Sequence, residues 1–87
     1  MDKNNTIFLN LEDLQKKERE EKVDKIMSEV YEALKEKGYN PISQLTGYLL
    51  SGDPTYITNH NGARSIVTRV DKDEIIEVIL ERYLKDL

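Results

Sequence analysis

One stretch of the chain, Gly38 to Val70, reading GYNPISQLTGYLLSGDPTYITNHNGARSIVTRV, limits the possible folds more than any other. It carries only three charged side chains, Asp53, Arg64 and Arg69, although the chain of 87 residues has 13 basic and 17 acidic ones. The same stretch contains all four glycines, both prolines and the one histidine. The backbone therefore turns several times within an apolar, poorly charged segment. Such a segment is packed or binds something, and the charged sequence on either side is its solvated frame.

A chain of this length forms one domain and buries roughly 60 to 65% of its unfolded surface, which leaves stability marginal. With no cysteine and one histidine, neither disulfides, a thiolate metal site nor a histidine cluster can supplement the core. Self-association is the remaining common supplement. No apolar run approaches the roughly 20 residues that cross a bilayer, and the opening MDKNNTIFLN lacks a basic start and long apolar core. We expect a soluble, cytoplasmic protein with no direct membrane insertion. A net charge of −4, with two arginines in the low-charge middle, argues against nucleic-acid binding, which needs clustered Lys and Arg.

Residues 1–17 show no sustained period. Their apolar residues Ile7, Phe8, Leu9 and Leu11 stand in otherwise polar sequence, and the alternation over Ile7, Leu9 and Leu11 has no convincing partner strand. We expect a flexible regulatory tail over 1–17 and a single helical domain over 18–87. From about Glu18 the spacing of Val23, Ile26, Met27, Val30, Tyr31 and Leu34 predicts one buried helical stripe, stopped by Gly38 after Lys35 and Lys37. The alternating charges of KKEREEKVDK read as a solvated face.

Asn40 and Pro41 predict the start of a second helix, with Ile42, Leu45 and Leu49 inward and Tyr48 and Leu50 broadening that face. Gly47 inside it costs about 1 kcal/mol relative to Ala, for which a close helix-helix approach is the natural reason. Asp53 and Pro54 repeat the start signal for a single turn, and TNHNG is a turn. A short helix over 63–70 buries Ile66, Val67 and Val70. Asp71 then caps a last helix, with Glu74 completing an acidic capping box. The wide apolar face of that helix, Ile75, Ile76, Ile79, Leu80, Tyr83, Leu84 and Leu87, suits a subunit contact as well as a core. The sum is an all-α bundle of about five short helices.

The most suggestive local chemistry is HNGARS, where His60 and Arg64 stand at a turn entering a helix and exposed N–H groups attract anions. Either this segment holds a phosphate or an acidic partner group, or Arg64 bonds to carbonyls or Asp53 and His60 caps a helix end. Histidine, serine and aspartate invite a hydrolase reading of His60 and Ser65, but there is no GxSxG elbow. The glycines do not follow a phosphate-cradling order, so neither catalytic residues nor a cofactor is assigned.

At GYNPISQLTGYLLSGDPTYIT, HNGARS and DEIIEVILERYL the sequence closely resembles the IreB/ReoM family of small Gram-positive regulatory phosphoproteins. The resemblance implies an all-helical homodimer without enzymatic activity, controlled by a membrane PASTA-type Ser/Thr kinase. It implies phosphorylation in the amino-terminal segment, at the position of Thr6. It further implies control of peptidoglycan synthesis and cephalosporin resistance, in some members through Clp-protease turnover of UDP-N-acetylglucosamine 1-carboxyvinyltransferase. Thr68 stands where the family often has an arginine, and Asp71-Lys72 where it has Glu-Arg, so the basic patch here is weaker. His60, Arg64 and Arg69 are the candidate partner- or phosphate-binding residues, with a small helical DNA-binding regulator as the alternative reading.

Overall fold

The computed structural model describes the backbone from Lys3 to Leu87 and the side chains from Asn10 onward. Its elements are α1 (Lys3–Lys37), α2 (Pro41–Ser51), a 3-10 turn (Pro54–Tyr56), a second 3-10 turn (His60–Gly62), α3 (Ala63–Val67) and α4 (Lys72–Lys85). No strand occurs among the described residues, so the fold is all-α. A helix of α1's length is about 52 Å long, which accounts for the longest dimension of the molecule, 53 Å.

α1 does not begin near Glu18, as the apolar spacing predicts, but at Lys3. Residues 11–22, LEDLQKKEREEK, are mostly Leu, Glu, Gln, Lys and Arg, which lose little side-chain freedom in a helix and pair at i, i+4, so the helix runs through them without an apolar stripe. All side chains from Asn10 to Glu18 are exposed. Burial starts at Val23 and continues through Ile26, Val30, Ala33 and Leu34, with Met27 packed at the edge and Tyr31 outside. The end is as expected. Gly38 takes a left-handed φ of 85°, its N–H donates to the Lys35 carbonyl at 3.0 Å, and the Tyr39 N–H donates to the Leu34 carbonyl at 2.9 Å. This double closure satisfies two carbonyls that the helix end would otherwise orphan.

The start of α2 also follows the sequence. The Asn40 side chain accepts from the Ser43 N–H at 3.1 Å and Pro41 fills the first helical position. The inward face differs from expectation: Tyr48 is the buried residue, Leu45 and Leu49 pack at the edge of the core, and Ile42 and Leu50 are 75% and 83% exposed. The close neighbour of Gly47 is an aromatic ring rather than a helix, since a Cβ there would lie 2.6 Å from Tyr56 Cδ1. Asp53 accepts from the Thr55 N–H at 3.0 Å and opens the first 3-10 turn. Ile57 is then fully buried, and the Gln44 side chain accepts from the Thr58 N–H at 3.0 Å, fastening the loop to α2.

α3 is shorter than predicted, but Val67 and Val70 are buried as expected and Ala63 joins them. Asp71 sits at the N-cap of α4 with extended backbone angles, yet its side chain makes no capping bond. The backbone carbonyl of Asp71 instead accepts from the Glu74 and Ile75 N–H groups. The acidic capping box is therefore not formed. Ile75 and Val78 turn inward, while Ile79, Leu80, Tyr83, Leu84 and Leu87 are exposed. α1 packs mainly on α3 and α4, and one apolar cluster unites α1, α2, Ile57, α3 and α4 without any buried charged or polar residue among those described.

Candidate functional site

The predicted binding residues lie on one segment that runs from the second 3-10 turn through α3 into the turn after it. Asn61 adopts a left-handed φ of 52°, and Gly62 follows at 73° as the N-cap of α3. Asparagine and glycine tolerate this region best, so the sequence NG fixes a tight entry into the helix. The turn is docked on the last turns of α1. The Asn61 amide donates to Glu36 Oε2 at 3.2 Å, and His60 Nε2 lies 3.4 Å from Glu36 Oε1. That second contact is an ion-pair distance rather than an aligned hydrogen bond, since the buried Nε2 has no hydrogen-bond partner among the described residues. His60 therefore faces a carboxylate.

Arg64 lies half-buried at the start of α3, and its Nε donates to the Ile57 carbonyl at 3.0 Å. That bond ties the fully buried Ile57 segment to α3, as one of the two readings of the sequence anticipates. The two terminal guanidinium nitrogens make no hydrogen bond among the described residues. The Arg64 charge contributes, after the Thr55 hydrogen bonds, to holding the Asp53 carboxyl below its usual range. Arg69 lies in the turn after α3 with an exposed side chain, and no described contact links it to His60 or Arg64. The structure thus places His60, Arg64 and Arg69 along one chain segment without closing them into a cradle. Ser65 is exposed and no described bond joins it to His60.

Beside the turn runs an open groove of about 380 Å³ lined by Ser28, Glu29, Glu32, Ala33, Glu36, Asn61 and Ile66. Its rim is acidic because Glu29, Glu32 and Glu36 recur at helical spacing along α1. No group of three or more His, Cys, Asp or Glu side chains suited to a metal ion occurs among the described residues. None of the described helices is long and apolar enough to cross a membrane.

Thr6 falls in α1, but its side chain lies outside the described residues. What sequence reasoning missed is the polar contact between α1 and α4. Arg19 Nη1 donates to Glu77 Oε2 at 3.0 Å and Nη2 to Glu81 Oε1 at 2.8 Å. Arg82 Nη1 and Nη2 donate to the two oxygens of Asp24 at 2.6 and 2.8 Å. The fork-to-fork bond from Arg82 holds the Asp24 carboxyl below its ordinary pKa, and the same bond pushes the Arg82 pKa up. These pairs join residues about 60 positions apart, and the charges of KKEREEKVDK, expected to form a solvated face, supply two of the partners, Arg19 and Asp24.

The family model described as "IreB regulatory phosphoprotein" matches residues 4–85. A protein of Acetivibrio thermocellus designated a UPF0297 protein is 51% identical over 86 residues, covering 99% of this chain and 91% of the relative. Both matches span the stretch from the opening of α1 through α4. The chain belongs to the IreB family of regulatory phosphoproteins.

Proposed function

We propose that this protein is a cytoplasmic, non-enzymatic regulator phosphorylated on Thr6 by a PASTA-type membrane Ser/Thr kinase, and that it acts on peptidoglycan synthesis. The observation that carries this reading is the family match, which spans Thr6 together with nearly the whole folded body. Residues 1–17 form the regulatory segment. A phosphate there adds about −1.5 to −2 charges and three acceptor oxygens. Placed in the opening turns of α1, that charge interacts favourably with the positive end of the helix dipole.

The output is control of the first committed step of peptidoglycan synthesis through Clp-dependent turnover of UDP-N-acetylglucosamine 1-carboxyvinyltransferase, with cephalosporin resistance as its consequence. His60, Arg64 and Arg69 form the partner- or phosphate-binding segment. In support, the terminal guanidinium nitrogens of Arg64 make no hydrogen bond among the described residues and the Arg69 side chain is exposed. The exposed apolar side of α4 supports assembly as a homodimer.

The test is the cellular abundance of the carboxyvinyltransferase. Replacing the native gene by Thr6→Ala is expected to lower enzyme abundance and cephalosporin tolerance, because relief by phosphorylation is lost. Adding Arg64→Ala to that background is expected to restore abundance. Unchanged enzyme levels in the Thr6→Ala strain contradict the proposal.

A further inference from the structure

The geometry points to a reversible ion-pair latch between α1 and α4 that decides whether the leading half of α1 stays on the folded body. From Asn10 to Lys22 no side chain is buried, and the first buried position is Val23. Among the described residues, the earliest hydrogen bonds from α1 to another helix are those of Arg19 to Glu77 and Glu81, followed by the Asp24–Arg82 pair. Lys16, Glu20, Glu81, Arg82 and Lys85 line an open cleft around the same contact, so water and salt reach it.

The charges are arranged reciprocally. α1 presents an arginine and then an aspartate, while α4 presents two glutamates and then an arginine, so a slipped register sets like charges against each other. Such pairs specify an arrangement more than they stabilise it, and salt screens them. The core beneath, from Val23 onward, is apolar and insensitive to salt by comparison. Loss of the latch therefore releases residues 10–22 while the core remains folded. A segment of that length without tertiary support is a marginal helix in water. Release of residues 10–22 frees the chain that carries Thr6 from the folded body, as a protein kinase requires, and the latched form is a continuous helix. That consequence deepens the phosphorylation reading and rests on it, whereas the latch does not.

The test is amide hydrogen exchange on the unmodified full-length protein, whose outcome is independent of whether Thr6 is the acceptor. Arg82→Asp is expected to speed exchange of the amides over 10–22 about threefold to fivefold, leaving Val67 and Val78 unchanged. The swapped pair Asp24→Arg with Arg82→Asp is expected to bring exchange back to within about twofold of the parent. Raising NaCl to about 1 M should speed the parent's leading segment and leave the Arg82→Asp variant little changed. Leading-segment exchange unmoved in both Arg82→Asp and Arg19→Gln overturns the proposal. Acceleration spread equally over the leading segment and the core overturns it as well.

Discussion

From Val23 to Leu34, α1 buries five side chains against the body, whereas from Asn10 to Glu18 it buries none and its first ties to α4 are ionic. One continuous helix is thus held by two different forces. Apolar burial is worth about 1.5 to 3 kcal/mol for each fully buried Val, Leu or Ile, while exposed ion pairs give about 0.2 to 1 kcal/mol. The contrast teaches that helical backbone and folded body need not share a boundary. Secondary structure in the leading half comes from propensity and local pairing, and its direction from a few charges.

The contrast is sharpest where the core is attacked. Leu34→Ala or Ile57→Ala, each removing a fully buried side chain, is expected to cost about 2 to 5 kcal/mol in chemical denaturation. Equivalent truncation of the exposed Leu14 should change stability by less than about 0.5 kcal/mol. A comparable cost at Leu14 would show that the leading half has an apolar partner and erase the distinction.

Gly47 gives the next largest effect. Adding a methyl there drives it into the Tyr56 ring, so Gly47→Ala is expected to lose its helix-propensity gain. In a Tyr56→Ala background the same change should stabilise by about 1 kcal/mol, a difference that a double-mutant cycle reads directly.

Acid gives the smallest effect. The Asp24 carboxyl is held below its ordinary pKa first by its hydrogen bond to Arg82, opposed by partial desolvation and aided by the Arg82 charge. A lowered folded-state pKa means that the unfolded chain takes up the proton more readily. The stabilisation is therefore present above the ordinary carboxylate range and is lost as pH falls through the folded value. With side chains about half exposed, the contribution after screening is about 0.5 kcal/mol or less. Asp24→Asn should flatten that acid limb of the stability profile without moving the neutral plateau by more than this amount.

The turns and caps of the middle were legible because their chemistry is local. Asn40 with Pro41, Asp53 with Pro54, and the glycines at 38 and 52 each dictate backbone angles through atoms within a few residues. The buried stripe of α1 was legible from its period. The roll of α2 was not, since spacing shows which residues share a face but not which face meets the core. Tyr48 turned inward and Ile42 and Leu50 outward. The start of α1 was hidden because a helix without an apolar stripe leaves no periodic signal. Asp71 occupied its predicted position, but the cap was closed by its backbone carbonyl rather than its carboxylate.

The candidate site was partly legible. Sequence chemistry found His60, Arg64 and Arg69 as candidate binding residues in a turn-rich segment, but a carboxylate supplied by a distant helix, Glu36, decides what His60 faces. A local motif carries no information about such partners. The ionic contact of α1 with α4 was illegible for the same reason, being assembled from residues 58 and 62 positions apart.

The central functional claim is that the message is written as a phosphate on the leading segment while the packed body remains the receiver. The most direct measurement is intact mass and peptide mapping of the full-length protein after incubation with the organism's PASTA kinase, ATP and magnesium. The account predicts one added phosphate, on Thr6, and none in the Thr6→Ala variant. A phosphate carried instead by a hydroxyl of the folded body, such as Thr55, Thr58 or Thr68, would contradict it.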